Sequence, residues 1–84
     1  MSYLVVLEAD EGFYKDLVKL DDKKSVSDYL DAFELGRKRQ KLGGQDHLSG
    51  FRLGVSYAES QAKVWGYEHG LTLTMKGTLA VKEA

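Results

Sequence analysis

Residues 46–70 read DHLSGFRLGVSYAESQAKVWGYEHG, and this stretch carries two patterns at helical spacing. Steps of three and four residues connect an apolar stripe made of Leu48, Phe51, Val55, Ala58, Ala62 and Trp65. Every fourth position also carries a small residue, in the series Gly50, Gly54, Ala58, Ala62, Gly66 and Gly70. The stripe predicts one amphipathic helix over 46–70. Glycine costs a helix about 1 kcal/mol relative to alanine, so the ridge of small residues predicts close packing against another backbone.

A second interpretation of the same stretch stays open. Alternate positions at Phe51, Leu53, Val55 and Tyr57 are apolar, as in a half-buried strand, and 63–68 would then form another strand. The connection between them, 58–63, contains no Gly, Asn, Asp or Pro and consists of residues that suit a helix. We therefore favour the helix over an antiparallel meander.

Length and composition restrict the classes of function. A chain of 84 residues forms one domain, 1–84, and buries only about 60–65% of its unfolded surface, so association with another chain would help its stability. The net charge of −1 and the pI near 6.1 give no global preference for nucleic acid or anionic membrane. The absence of cysteine excludes disulfides, thiolate catalysis and cysteine-ligated metals. We expect a cytoplasmic protein, because no signal peptide or membrane-spanning apolar run is apparent.

The N-terminal segment predicts a central strand. Residues 3–9 are rich in β-branched and aromatic side chains and end at the turn Asp10-Glu11-Gly12. Residues 13–20 complete a hairpin if they form a strand, with Gly12 in the left-handed position of a three-residue loop. The same residues could form a short helix with Phe13, Leu17 and Leu20 on one face. We favour the hairpin because the loop residues suit it.

A helix is predicted over about 25–42, with Ser25 and Asp28 as a capping box and Gly43 as the C-terminal cap. Its charges follow the helix dipole, since acids precede the basic residues. Ala32 and Gly36 repeat the small-residue spacing, so we expect two ridges to meet at a crossing angle of roughly −50°. A bend at 43–45 would lead into the second helix. The predicted buried face consists of Val26, Tyr29, Leu30 and Phe33.

The end of the chain alternates apolar and polar residues from Leu71 to Lys82, which predicts strand with one buried face. Gly77 interrupts this alternation, either as a bulge in one long strand or as part of a hairpin. The sequence therefore predicts an α+β fold: a small antiparallel sheet from the N- and C-terminal strands, with two helices packed on one face.

No catalytic or metal-binding motif is present in the sequence. The candidate metal ligands stand at the two ends of a predicted helix about 35 Å long, too far apart for one site; they are Asp46, His47, Glu68 and His69. We expect His69 to be a polar residue at a negative helix terminus. No cofactor is predicted, and an enzyme is the least favoured class.

Two surfaces are candidates for binding. A basic cluster could contact a nucleic-acid backbone or an acidic partner, and it comprises Arg37, Lys38, Arg39, Lys41 and, across the bend, Arg52. Arg37 and Arg39 are expected on the solvent side. A second apolar line on the second helix would contact another chain or lie in the core, and it comprises Leu53, Tyr57, Val64 and Tyr67.

The leading functional hypothesis is a small non-enzymatic protein-binding module that acts as a regulator or inhibitor of a larger complex. Self-association through the second apolar line is part of this hypothesis. A phage or mobile-element origin would fit, although no residue supports it. The alternative is a nucleic-acid-binding protein that uses the basic cluster at 37–41.

Overall fold

The computed structural model describes residues 2–41 and 61–84. Its elements in chain order are β1 (Tyr3–Ala9), β2 (Tyr14–Leu20), α1 (Lys23–Lys41), α2 (Gln61–Thr72) and β3 (Gly77–Glu83). The strands form one antiparallel sheet in the order β2-β1-β3, and the two helices pack together with it. The predicted α+β fold is confirmed. The bend predicted at 43–45 and the part of the second helix predicted over 46–60 lie outside the described residues.

A tight turn joins β1 to β2. Gly12 has a φ of 96°, a left-handed conformation that favours glycine. The backbone N–H of Ala9 donates to the carbonyl of Phe13 at 2.8 Å, which closes the turn. The hairpin prediction is confirmed, and the helical alternative for 13–20 is wrong. One irregularity follows the turn: the β1–β2 register shifts between Val5 and Val6, which leaves Leu17 as an extra residue on β2.

The central strand β1 is buried on both faces. Val5 and Leu7 are fully buried and share one face of the sheet, and Val6 on the other face is only 2% exposed. The predicted buried face of α1 is confirmed, with Leu30 packed at the margin of the core. The core between sheet and helices consists of Val5, Leu20, Val26, Tyr29, Phe33 and Ala62.

Side chains from both outer strands meet above Val6. The ammonium group of Lys82 lies 4.9 Å from the centre of the Tyr14 ring, within the range of a cation–π contact. Lys82 pairs with Leu4 and Tyr14 pairs with Glu8, so the line between them crosses β1 near Val6. The aliphatic stem of the lysine and the aromatic ring therefore cover an apolar residue that no described helix covers.

Helix α1 begins at Lys23, two residues before the predicted start. A carboxylate oxygen of Asp22 accepts the backbone N–H of Ser25 at 2.7 Å, and this bond holds the pKa of Asp22 below its usual value. The capping box predicted at Ser25 and Asp28 is therefore wrong. Asp22 caps the helix because a carboxylate satisfies a free N–H and also interacts favourably with the positive end of the dipole. Asp28 instead pairs with Lys24 at 3.2 Å.

The two helices touch backbone to backbone. Gly66 lies against the carbonyl of Tyr29, and Gly70 lies against the carbonyl of Phe33. From the other side, Gly36 lies against the backbone of α2. A Cβ atom on any of these glycines would come within 3.0 Å of backbone atoms on the facing helix. The prediction that the ridge packs closely is confirmed for its described members, which are Ala32, Gly36, Ala62, Gly66 and Gly70.

Helices α1 and α2 run in the same direction. Residues later in α1 contact residues later in α2, in the successive pairs Tyr29 with Gly66, Phe33 with Gly70 and Gln40 with Leu71. Their C-terminal ends consequently lie side by side. Adjacent helices joined by a short bend are antiparallel, whereas residues 42–60 separate these two in the sequence.

The C-terminal part of the chain differs from its prediction. Helix α2 continues through Leu71 to Thr72, and the strand begins only at Gly77. Leu71 is 2% exposed and packs with residues of the helix pair, so its burial follows the helical period rather than the alternation of a strand. Gly77 is neither a bulge nor a hairpin residue; it opens β3 opposite Ala9.

The favoured helix is confirmed over its described part, and the alternative strand over 63–68 is wrong, because these residues lie within α2. One prediction for α2 is corrected. Trp65 was expected on the buried stripe, yet it is 38% exposed. The ridge of small residues faces α1, and Trp65 precedes Gly66 by one residue, which rotates it about 100° away from the contact.

We predict that Gly70→Ala destabilises the fold by about 1–3 kcal/mol, because the added methyl group would overlap the backbone at Phe33. On a solvent-exposed face the same change would stabilise by about 1 kcal/mol through helix propensity. Urea unfolding measures whether Gly70→Ala lowers or raises the free energy of unfolding. Ser27→Ala, at an exposed position of α1, is the control and should leave the free energy of unfolding within about 0.5 kcal/mol.

Candidate protein-binding surface

A cleft of about 520 Å³ lies where β2 passes into α1 and α2 packs beside them. Strand β2 ends at Leu20, and the turn Asp21-Asp22 leads into α1. The parallel packing of α2 brings Gln61 and Trp65 to the same place. Three segments therefore form the cleft: the end of β2 with the turn that follows it, the start of α1, and the start of α2.

Trp65 contributes the large apolar side chain of this cleft. Its exposed fraction of 38% contrasts with the burial of Tyr29, Phe33 and Tyr67 in the same layer. An indole combines a wide apolar surface with one N–H donor. Such a side chain at the surface can bury apolar area and donate a hydrogen bond when a partner covers it.

The rim of the cleft carries charges of both signs. Lys19 and Asp21 are exposed, and the ammonium group of Lys24 forms an exposed ion pair with Asp28. An exposed pair of this kind contributes only a few tenths of a kcal/mol to stability. A polar rim around an aromatic centre is the usual anatomy of a protein interface.

The second apolar line does not form an exposed surface within the described residues. Leu53 and Tyr57 lie outside them, and Val64 is half-buried. Tyr67 is 1% exposed and packs with Ala32 and Leu71 in a cluster separate from the main core. The expectation of an accessible interface at Tyr67 is corrected, because this side chain belongs to the interior of the helix pair.

Arg37 has a structural role that the sequence did not reveal. Its two terminal nitrogens donate to the carbonyls of Leu73 and Met75, each at 2.6 Å, and its guanidinium lies 5.1 Å from the centre of the Phe33 ring. The side-chain amide of Gln40 also donates to the carbonyl of Leu73, at 2.7 Å. The last carbonyls of a helix have no partners within it. Gln40 also donates to the carbonyl of Leu71 at 2.8 Å and so caps the end of α2, while Arg37 holds the segment that leads to β3.

The basic cluster is consequently smaller than predicted. Arg37 is half-buried, and the expectation that it faces solvent is wrong. Lys38 lies 3.9 Å from Glu34 in an exposed pair, while Arg39 and Lys41 are exposed. Arg52 lies outside the described residues. Contact with nucleic acid or an acidic partner through the three exposed cations stays a prediction.

His69 is half-buried in the last turn of α2 and is bonded to Tyr29 of α1. The hydroxyl of Tyr29 lies 2.6 Å from His69 Nδ1, and the two rings meet edge to face at 5.6 Å. Burial raises the pKa of Tyr29, so the phenol stays protonated. Burial is the main cause that lowers the pKa of His69. The charge of Glu68 raises this pKa, and the charge of Lys15 lowers it further. The expected position of His69 at the C-terminal end of the helix is confirmed; its half-burial and its bond to Tyr29 were not expected.

The remaining predictions of sites concern metals and membranes. Within 2–41 and 61–84, no group of three His, Asp or Glu side chains is placed to hold a metal ion. No helix in these ranges is both long and apolar enough to cross a membrane. Asp46 and His47 lie outside the described residues.

Comparison of this chain with family models, curated proteins and solved structures finds no match.

We predict that Arg37→Ala lowers the free energy of unfolding by about 2–3 kcal/mol, because two carbonyls lose a charged donor. Arg39→Ala is the matched control and should change it by less than about 0.5 kcal/mol, since Arg39 is exposed. Urea unfolding of both variants provides the measurement. Equal effects of the two substitutions would contradict the assigned role of Arg37.

We also predict that stability falls in mild acid. The folded-state pKa of His69 lies below the ordinary value of 6.5, so the unfolded chain takes up a proton first. The contribution of neutral His69 is complete above pH 6.5 and is lost as the pH falls from there through the folded-state pKa. Urea unfolding between pH 5 and 8 should show a steeper decline for the wild type than for His69→Gln. His47 is present in both proteins, so the difference between the curves isolates His69.

Proposed function

We propose that this chain is a small protein-binding module that presents the Trp65 cleft to a partner protein. The observation that carries the proposal is the exposed indole at a cleft with a charged rim, while the other aromatic side chains of the described helices, Tyr29, Phe33 and Tyr67, are buried. Tryptophan is among the residues that most often dominate the binding energy of protein interfaces. The charges around it would set the orientation and specificity of a partner more than the affinity.

Binding rather than catalysis fits the environment of the titratable groups. Tyr29 and His69 have perturbed pKa values, yet they are bonded to each other, and the side chain of Tyr29 is fully buried. The lysines and aspartates at the cleft serve as a helix cap, an ion pair and solvated rim groups. A module of this kind acts by occupying the surface of its partner, so we propose that it regulates or inhibits a larger protein.

The test uses Trp65 as both probe and target, because it is the only tryptophan of the chain. Partners captured on the immobilised chain from a cell extract are purified and titrated against it, and indole emission is followed. We expect a shift to shorter wavelength on binding. Trp65→Ala should weaken binding by at least 2 kcal/mol, or about thirtyfold.

Leu35→Ala is the matched control, because Leu35 is an apolar residue with nearly the same exposed fraction, 39%, on α1. It should leave the affinity unchanged. Thermal unfolding of both variants establishes that each is folded. A partner that binds wild type and Trp65→Ala equally, with no change in emission, would contradict the proposed surface.

A further inference from the structure

The two edges of the sheet differ in how well they are protected. At the β2 edge, the extra residue Leu17 breaks the register, and Lys15, Asp16 and Lys19 are exposed along the strand. Bulges and charges of this kind prevent another strand from pairing with an edge. Strand β3 pairs with β1 over its whole length without a register shift. Within the described residues, β3 has no bulge, and its charges are confined to its end, at Lys82 and Glu83.

The hydrogen bonds at the two ends of the β1–β3 ladder show which groups of β3 point outward. The N–H of Ala84 donates to the carbonyl of Ser2 at 2.9 Å. At the other end, the N–H of Asp10 donates to the carbonyl of Lys76 at 3.0 Å. Along an antiparallel ladder, hydrogen-bonded residue pairs alternate with pairs that are not hydrogen-bonded. Counted from both ends, the backbone groups of Thr78, Ala80 and Lys82 face β1. Those of Gly77, Leu79, Val81 and Glu83 face away from it.

The side chains of β3 leave this edge open. Val81 is 42% exposed and shares the helix-side face with Leu79, which packs at the margin of the core. Ala80, on the other face, is small. A lysine on an edge strand usually discourages pairing, but Lys82 reaches across the sheet to the Tyr14 ring and away from the edge.

We propose that a second copy of this chain adds to the β3 edge, with the two β3 strands antiparallel about a two-fold axis at Ala80. In this register Leu79 of each copy opposes Val81 of the other, and Gly77 opposes Glu83. The backbone groups of these four residues face outward, so the pairs that they form are the hydrogen-bonded pairs of the new ladder. The two sheets join into one continuous sheet, and this association does not depend on the Trp65 cleft.

The pattern of β3 favours its own copy over a foreign strand. The register that aligns all outward groups is also the one that places Leu79 beside Val81, so it covers the exposed apolar side chain. Lys82 opposes Thr78, and Glu83 opposes Gly77, so no like charges face each other. The Ala80 residues of the two copies form the close, non-bonded pair at the axis, where a small side chain fits.

Sedimentation equilibrium of the full chain is the first test, and the wild type should show twice the 9.4 kDa chain mass at micromolar concentration. Val81→Pro removes an outward N–H but no bond to β1, so it should raise the dimer dissociation constant by about tenfold to a hundredfold. Thermal unfolding checks that the variant is folded. Val81→Glu, which places a charge beside Leu79, is the second variant if the proline prevents folding.

Disulfide trapping tests the register. The chain has no cysteine, so Ala80→Cys introduces a single thiol at the proposed axis, where a Cα–Cα distance of about 4.5 Å permits a disulfide. Thr78→Cys is the control, because the two Thr78 positions would lie about 13 Å apart, or four residues along the strand. Rapid oxidation to dimer is expected for Ala80→Cys alone.

A wild-type monomer at micromolar concentration would overturn the proposal. A dimer that both Val81 variants leave intact would place the contact elsewhere and also overturn it. Faster trapping of Thr78→Cys than of Ala80→Cys would exclude the register at Ala80. Loss of partner binding in Trp65→Ala, with the dimer retained, would leave this proposal standing.

Discussion

The contact between the backbones of α1 and α2 is the constraint on which the rest of the structure depends. Gly36, Gly66 and Gly70 allow each helix to approach the carbonyls of the other more closely than any side chain would permit. Each glycine weakens its helix by about 1 kcal/mol relative to alanine. The close approach offsets this cost through dispersion contacts along the whole length of the pair.

The parallel direction of the helices determines the chemistry at their ends. Parallel dipoles side by side place two negative termini together, and this is where the basic end of α1 lies. Gln40 donates to the carbonyl of Leu71 in the last turn of α2, and Arg37 donates to carbonyls just beyond it, so hydrogen bonds offset an unfavourable juxtaposition. At the opposite end, Asp22 satisfies the start of α1. That end is also where the Trp65 cleft forms.

Local patterns were sufficient to predict the elements that depend on neighbouring residues. The hairpin at Gly12, the buried face of α1 and the small-residue ridge follow from turn chemistry and from helical spacing, and the structure confirms them. The end of α2 could not be predicted in this way. Leu71 and Leu73 continue an alternating pattern, but Gln40 caps the helix from a segment some thirty residues earlier, and Arg37 holds the residues that follow the helix.

The candidate site was less accessible to sequence reasoning. Tyr67 and Trp65 both belong to apolar lines in the sequence. Which of them is buried depends on which side of α2 faces α1. The decisive signal was present in the ridge: once Gly66 and Gly70 are taken to face the other helix, Trp65 must point away. Arg37 gave no such signal, because a half-buried arginine and a solvated one have the same sequence context in a basic helix end.

The pairing of Ser2 with Ala84 has a mechanical consequence. The chain enters and leaves the sheet side by side, on its central strand and on the adjacent edge strand. A force that pulls on both ends therefore acts across the β1–β3 ladder and breaks its hydrogen bonds one pair at a time, as a zipper opens. Strands pulled along their length would share the load among all pairs at once. The fold should accordingly yield at low tension when it is stretched from its ends, however well its helices resist heat or denaturant.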